Sequence, residues 1–293
     1  MHRWFYFFSI LLISTSCNNG DIIQVQLDFD KDLSVCQIQT ADQGSSATAS
    51  YLFYDTRNNP YESLTLLIPQ TTATEALFNP EESGDTQTLD INGNTVQFHY
   101  RSYNGDPNSL ICAVIPPAGV AVTQNYASNG GNAQFVSTFE DDDDDGVPTA
   151  LEFDGDTDGD GIPNFKDNDD DGDNVPTINE KPDPNSDGDL SDAQDSDGDS
   201  IPDYLDSDDD GDGTLTINKD ENGNGNLFDD IATGAFLARF LDENFNNSYP
   251  VQTTNANKFK RYVTITVTLF NIDISILSAD TLEMGTYETI ISY

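Results

Sequence analysis

The chain has 293 residues and carries 53 acidic against 11 basic side chains, a net charge of −42. That balance excludes a nucleic-acid partner, because phosphate has to be met by Lys and Arg, and it excludes direct attraction to an anionic membrane surface. The acids are concentrated: residues 140–230 hold 34 of them and three bases, Lys166, Lys181 and Lys219.

Residues 1–16 read as a signal peptide of lipoprotein type. His2 and Arg3 precede the apolar run WFYFFSILLI, which is too short to span a bilayer, and STSC follows. A Cys directly after small residues resembles the bacterial lipoprotein signal. That resemblance implies a lipid anchor on Cys17 and an address in the cell envelope, at the outer membrane, on its periplasmic or surface face. Ser14 stands where the pattern has Leu, so plain secretion is the alternative. With Cys17 lipidated, Cys36 and Cys112 are left as an even pair, expected as a disulfide in an oxidising compartment.

Residues 21–138 predict an antiparallel β-sandwich, in a chain that is mainly β. IIQVQLDFD places Ile23, Val25, Leu27 and Phe29 on one face. LTLLIP and LICAVIPP predict buried strands ending at prolines. TLDINGNTVQFHY predicts a hairpin closed by Asn92-Gly93. FHYRSYNGD (98–106) is an aromatic-rich stretch suited to contact with sugar or peptide.

Residues 141–230 show neither helical nor strand period, but they repeat. DDDDDGVPTALE (141–152), DTDGDGIPNFKD (156–167), DDDGDNVPTINE (169–180) and DSDGDSIPDYLD (195–206) share a twelve-residue frame. Asp stands at positions 1, 3 and 5: Asp141, Asp143, Asp145; Asp156, Asp158, Asp160; Asp169, Asp171, Asp173; Asp195, Asp197, Asp199. Position 6 is turn-forming (Gly146, Gly161, Asn174, Ser200), position 7 is apolar (Val147, Ile162, Val175, Ile201), and Pro follows at 8. Position 12 is acidic (Glu152, Asp167, Glu180, Asp206). Three further stretches keep part of the pattern. Residues 182–195 supply Asp187 and Asp189 without a unique frame. Residues 208–221 supply Asp208, Asp210 and Asp212, but Lys219 holds position 12, so Asp220 or Glu221 has to substitute. Residues 220–230 supply Asp220 with Asn222 and Asn224.

This spacing suits calcium, which takes about six to eight oxygen ligands at ~2.3–2.6 Å. Carboxylates at 1, 3 and 5 of a curling loop converge on one ion, the carbonyl of residue 7 adds an oxygen, and the acid at 12 closes the shell. Magnesium prefers a smaller octahedral shell that keeps its waters. Zinc prefers His or Cys, and the segment has neither. An EF-hand needs a helix on each side of its loop; starts at 156 and 169, and at 195 and 208, leave no room for one.

The last stretch begins with ATGAFLARFL (232–241), which predicts one short helix. RYVTITVTL then puts Val263, Ile265, Val267 and Leu269 on one face. The phase slips at Phe270, with Ile272, Ile274 and Ile276 continuing, which predicts a bulge or a new strand. Residues 232–293 are either a C-terminal β segment of their own or the completion of the sandwich.

The repeated loops resemble thrombospondin type 3 repeats. That resemblance covers about 90 residues and implies an extended wire wrapped around a line of several calcium ions, with little apolar core. DSDGDSIPDYLDSDDDGDG (195–213) and YNGDPN (103–108) also look like a class of Bacteroidetes outer-membrane lipoproteins, a likeness that brings no activity with it. No enzyme is expected. His99 is the one His outside the signal, and no phosphate loop or activated nucleophile is visible. The reading is a calcium-binding envelope lipoprotein whose repeats form a rigid spacer arm. The alternative is an adhesion or ligand-binding protein whose sandwich meets an envelope or extracellular protein or a glycan.

Overall fold

The computed structural model describes residues 27, 29–40, 48–153, 155–274 and 276–293. The signal stretch 1–16, Cys17, Ile23 and Val25 lie outside the described residues. The fold is mainly β. Its strands are β1 (Ser34–Thr40), β2 (Thr48–Asn58), β3 (Tyr61–Pro69), β4 (Asp85–Asp90), β5 (Gln97–Tyr103), β6 (Val122–Ser128), β7 (Asn132–Thr138), β8 (Lys260–Ile274) and β9 (Leu277–Ser292). They form two antiparallel sheets, ordered β1-β2-β3-β5-β6 and β4-β7-β8-β9.

One apolar core lies between the sheets. Phe53, Leu64, Leu66, Ile68 and Phe98 come from the first sheet; Phe135, Val263, Ile265, Val267 and Leu269 come from the second. Phe53 and Phe135 meet across the interface at 5.4 Å between ring centroids. Each such side chain stabilises the fold by roughly 1.5–3 kcal/mol through burial. Leu27 and Phe29 pack on this core from outside any strand. In β8 the buried series runs Val263 to Leu269 on odd numbers and resumes at Ile272 and Ile274 on even ones. Asn271, in the left-handed conformation at φ 53, absorbs the slip, so one strand continues through it.

β8 pairs with β7 on one side and with β9 on the other. Residues 260–292 therefore complete the second sheet. The whole acidic segment is an excursion that leaves β7 and returns to the neighbouring strand.

Four expectations fail, each for a physical reason. TLDINGNTVQFHY is not a hairpin, because β4 and β5 belong to different sheets. Ile91 and Val96, on either side of the turn, are both buried, which draws the chain over the core as an arch. The Asn92 side chain closes that arch by accepting the amides of Asn94, Thr95 and Val96 at 2.9–3.1 Å. LICAVIPP is not a buried strand: Val114 is 98% exposed and Ile115 84%. A 3-10 turn at Pro107–Ser109 and a left-handed Cys112 (φ 66) break the extended run. The Cys36–Cys112 disulfide, with 6.1 Å between Cα atoms, ties the segment to β1. ATGAFLARFL is not a helix, because Gly234 turns left-handed (φ 90) and only a single 3-10 turn, Arg239–Leu241, remains. The aromatic residues of 98–106 are structural. Phe98 and Tyr100 join the core and Tyr103 is buried against the Ser63 hydroxyl at 2.8 Å.

Candidate metal centres

The loops of the acidic segment share one hydrogen-bonded shape. In all seven, the amide of position 7 donates to the side-chain oxygen of position 5, at 2.7–2.9 Å. In six, the amide of position 6 donates to the position-1 carboxylate, at 2.8–3.1 Å. Position 6 is left-handed throughout, at φ 77 to 98, including Asn174 and Ser200. At position 1 the second oxygen of Asp141, Asp183, Asp195 and Asp220 accepts a further amide of the same loop, whereas that of Asp169 and Asp208 has no donor. The shared bonds also assign a frame to 182–195: it starts at Asp183, with Asn185 at 3, Asp187 at 5 and Asp189 at 7.

Five of the loops fall into two classes by position 2, a distinction that the shared frame hides. Loops starting at 141, 169 and 208 carry Asp there (Asp142, Asp170, Asp209); those at 156 and 195 carry Thr157 and Ser196. In the first class the position-2 amide donates to a Thr hydroxyl at position 9: Thr149, Thr177 and Thr216, at 2.9, 3.1 and 3.2 Å. The carboxylates of Asp170 and Asp209 lie against the preceding loop of their class. Asp170 joins Asp145 and Glu152, and Asp209 joins Asp171, Asp173 and Glu180, each set with oxygens within 4.8 Å of one another and every member buried. Asp141, Asp143 and Asp145 converge in the same way. Asp156, Asp158 and Asp160, like Asp195, Asp197 and Asp199, also converge but are exposed. Val147 and Val175 are buried, Ile162 is half-buried and Ile201 exposed, in line with their loops.

Among the described residues, every buried side-chain oxygen without a hydrogen-bond donor is a carboxylate oxygen of residues 143–230. Both oxygens of Asp143, Glu152, Asp170 and Glu180 are in that position. Such groups cost several kcal/mol each when charged unless a cation faces them. Burial, then the neighbouring Asp145, pushes Glu152 up to about 10 and Asp170 up to about 9. Burial and neighbouring carboxylates likewise raise Asp143, Asp171, Asp173, Glu180 and Asp209. Burial also raises Asp167, to about 6, and Asp206. Each accepts the first amide of the following loop, from Asp169 at 3.3 Å and from Asp208 at 3.0 Å.

In two loops, internal partners face part of the acidic set. In 208–219, Lys219 is 1% exposed and its ammonium pairs with Asp210 and, at 3.2 Å, with Asp212. Neither Asp220 nor Glu221 substitutes at position 12. Asp220 accepts the amides of its own loop, at Gly223, Asn224 and Gly225, and Glu221 pairs with Arg239. In 220–230 the Asn222 and Asn224 amides donate to Asp229 at 2.8 and 2.9 Å, so their side chains act as braces.

The segment is also tied to the sandwich. Arg261, buried on β8, pairs with Asp142 and donates to Asn79 Oδ1 at 2.8 Å and to the Pro80 carbonyl at 3.0 Å. The returning chain runs beside the loops: Asn257 bonds Asn168 and Lys166, and Asn255 bonds Asn174 twice. A small apolar cluster of Val175, Leu227, Ala238 and Phe240 adds a second, minor core. Comparison with protein families, with curated proteins and with solved structures finds no match for this chain.

Proposed function

We propose that residues 141–230 bind several calcium ions and that these ions, in place of an apolar core, hold the segment in shape. The observation that carries the reading is the set of buried, donor-free carboxylate oxygens in Asp143, Glu152, Asp170 and Glu180. A folded chain does not keep such groups charged without a cation, and an all-oxygen donor set suits calcium better than magnesium or zinc. The likeness to thrombospondin type 3 repeats supports the same ion.

The protein is read as an envelope lipoprotein anchored through Cys17, with the calcium-ordered segment as a rigid projection from the sandwich. Both ends of the segment are held by paired strands, β7 and β8. A spacer that separates two modules would need its ends apart, so the structural role falls to the projecting loops themselves.

Equilibrium dialysis of the full chain against calcium or magnesium, followed by elemental analysis, tests the proposal. Several calcium ions per chain are expected, with chelation increasing both protease cleavage within 141–230 and the radius of gyration. A chain that retains no calcium, or whose cleavage and dimensions ignore chelation, is a solvated acidic insertion instead.

A further inference from the structure

The loops with Asp at position 2 form a series. Asp170 is lent backward to Asp145 and Glu152, and Asp209 is lent backward to Asp171, Asp173 and Glu180. At each end of the series a lender or a borrower is missing, and a basic side chain stands there. Asp142, with no loop of its class before it, pairs with Arg261. The loop 208–219 has no later loop of its class to borrow from: position 2 of the following loop is Glu221, which is held by Arg239. Its own position 12, the place of Glu152 and Glu180, is Lys219, whose ammonium lies between Asp210 and Asp212.

We infer that Lys219 is a built-in cation standing in for a metal ion in the loop 208–219, which therefore holds its shape without calcium and presents Asp209 ready-placed to Asp171, Asp173 and Glu180. This rests on the calcium reading of the two preceding loops of the series. Three observations support it. The Lys219 side chain is buried to the same degree as the Asp210 and Asp212 side chains it faces. A compact ammonium offers three donors to carboxylates that otherwise need a cation. The backbone of the loop repeats that of its metal-type counterpart: Thr216 N donates to Ser207 O at 2.9 Å and Lys219 N to Thr216 O at 2.8 Å, matching Thr177 N to Asn168 O and Glu180 N to Thr177 O, both at 3.0 Å. The same fold is thus built once around a lysine and once around acids alone.

Two measurements on the full chain test this. In the first, calcium per chain is counted after dialysis for the wild type and for Lys219→Glu, which restores the acid at position 12. The variant is expected to hold one ion more. In the second, hydrogen exchange is followed in chelator. The Thr216 and Lys219 amides are expected to exchange at least tenfold more slowly than Thr177 and Glu180, and Lys219→Met is expected to abolish that difference. A wild type that binds calcium while Lys219→Glu gains no ion overturns the inference alone, as does a Thr216 amide that exchanges as fast as Thr177 in wild-type protein. A wild type that takes up no calcium overturns the calcium reading of the neighbouring loops, and the stand-in falls with it.

Discussion

Replacing Glu152 with Gln should have opposite effects with and without calcium. Glu152 is buried beside Asp145 and Asp170, and both its oxygens lack donors. Without a cation its carboxyl titrates at about 10, against 4.5 in an unfolded chain. At pH 7.5 the calcium-free fold must therefore keep the group protonated, three pH units above its unfolded value. At about 1.36 kcal/mol per unit this costs ~4 kcal/mol, and solvent that reaches the loop reduces it to roughly 2–4 kcal/mol. Gln has the same shape and bears no such cost. In chelator, Glu152→Gln should slow exchange of the Asp142 and Leu151 amides, which bond Thr149 Oγ1 and Pro148 O, by about 30- to 900-fold. Because the folded value is raised, the penalty is absent below pH 4.5 and grows as pH rises toward 10, so the advantage of the variant should vanish near pH 4.5. In calcium the sign reverses. The ion loses one unit of ligand charge, and affinity at that site should fall by about tenfold or more. If Glu152→Gln weakens the protein equally in chelator and in calcium, or if its effect ignores pH, Glu152 is an ordinary buried polar residue and the cation reading is wrong.

Arg261→Met should cost about 3–5 kcal/mol in chemical denaturation, because it strands the buried Asp142 charge; adding Asp142→Asn should recover most of the loss, whereas no recovery would mean that Arg261 acts by packing alone. The disulfide closes a loop over a sequence separation of 76 residues, so Cys36→Ala with Cys112→Ala should lower stability by about 4.5 kcal/mol in the chain-entropy account, and an unchanged denaturation midpoint would refute it. Cys17→Ala should move the protein from the membrane fraction to the soluble one, and a variant still recovered with membranes would remove the anchor from the proposal.

Much of this was legible in the sequence, and the illegible parts have a common cause. Alternation in residues 263–269 is a one-dimensional signal, and β8 buries those same side chains. The Asp residues at frame positions 1, 3 and 5 are likewise visible, because a single loop brings them together. What could not be read is what depends on a second segment. Asp170 and Asp209 act on a different loop from their own, and only the contrast between Asp and Thr or Ser at position 2 hinted at it. Arg261 stands in phase with Val263 on the buried face of β8, where a charge needs partners, and the strand pattern does not show that Asp142, Asn79 and Pro80 supply them. Asn92-Gly93 has the chemistry of a hairpin turn. Which strands its flanks join is decided by Ile91 and Val96 entering the space between the sheets, and no local rule contains that. LICAVIPP shows the reverse error: its apolar residues promise burial, but a left-handed Cys112 and the tie to β1 leave Val114 and Ile115 outside.

The position of the excursion explains why the metal loops and the sandwich support one another. Residues 139–259 separate two strands that pair directly, an interval of 260 − 138 − 1 = 121 residues. If that interval loses its order, pairing β7 with β8 must close a flexible loop of this length, at an entropic cost of about 4 kcal/mol. An interval already ordered by calcium presents its two ends at pairing distance, with Arg261 on Asp142 at one and Asn257 on Lys166 near the other. Under the proposed calcium binding, the ions would stabilise the sheet, and by linkage the folded sheet would raise calcium affinity by the same factor, which a coupling of ~4 kcal/mol bounds at about a thousandfold. The same loops attached at a chain end would have no strands to close and would gain nothing from the sandwich. Insertion between adjacent strands is thus what allows a segment with a minor apolar core to borrow stability from a major one.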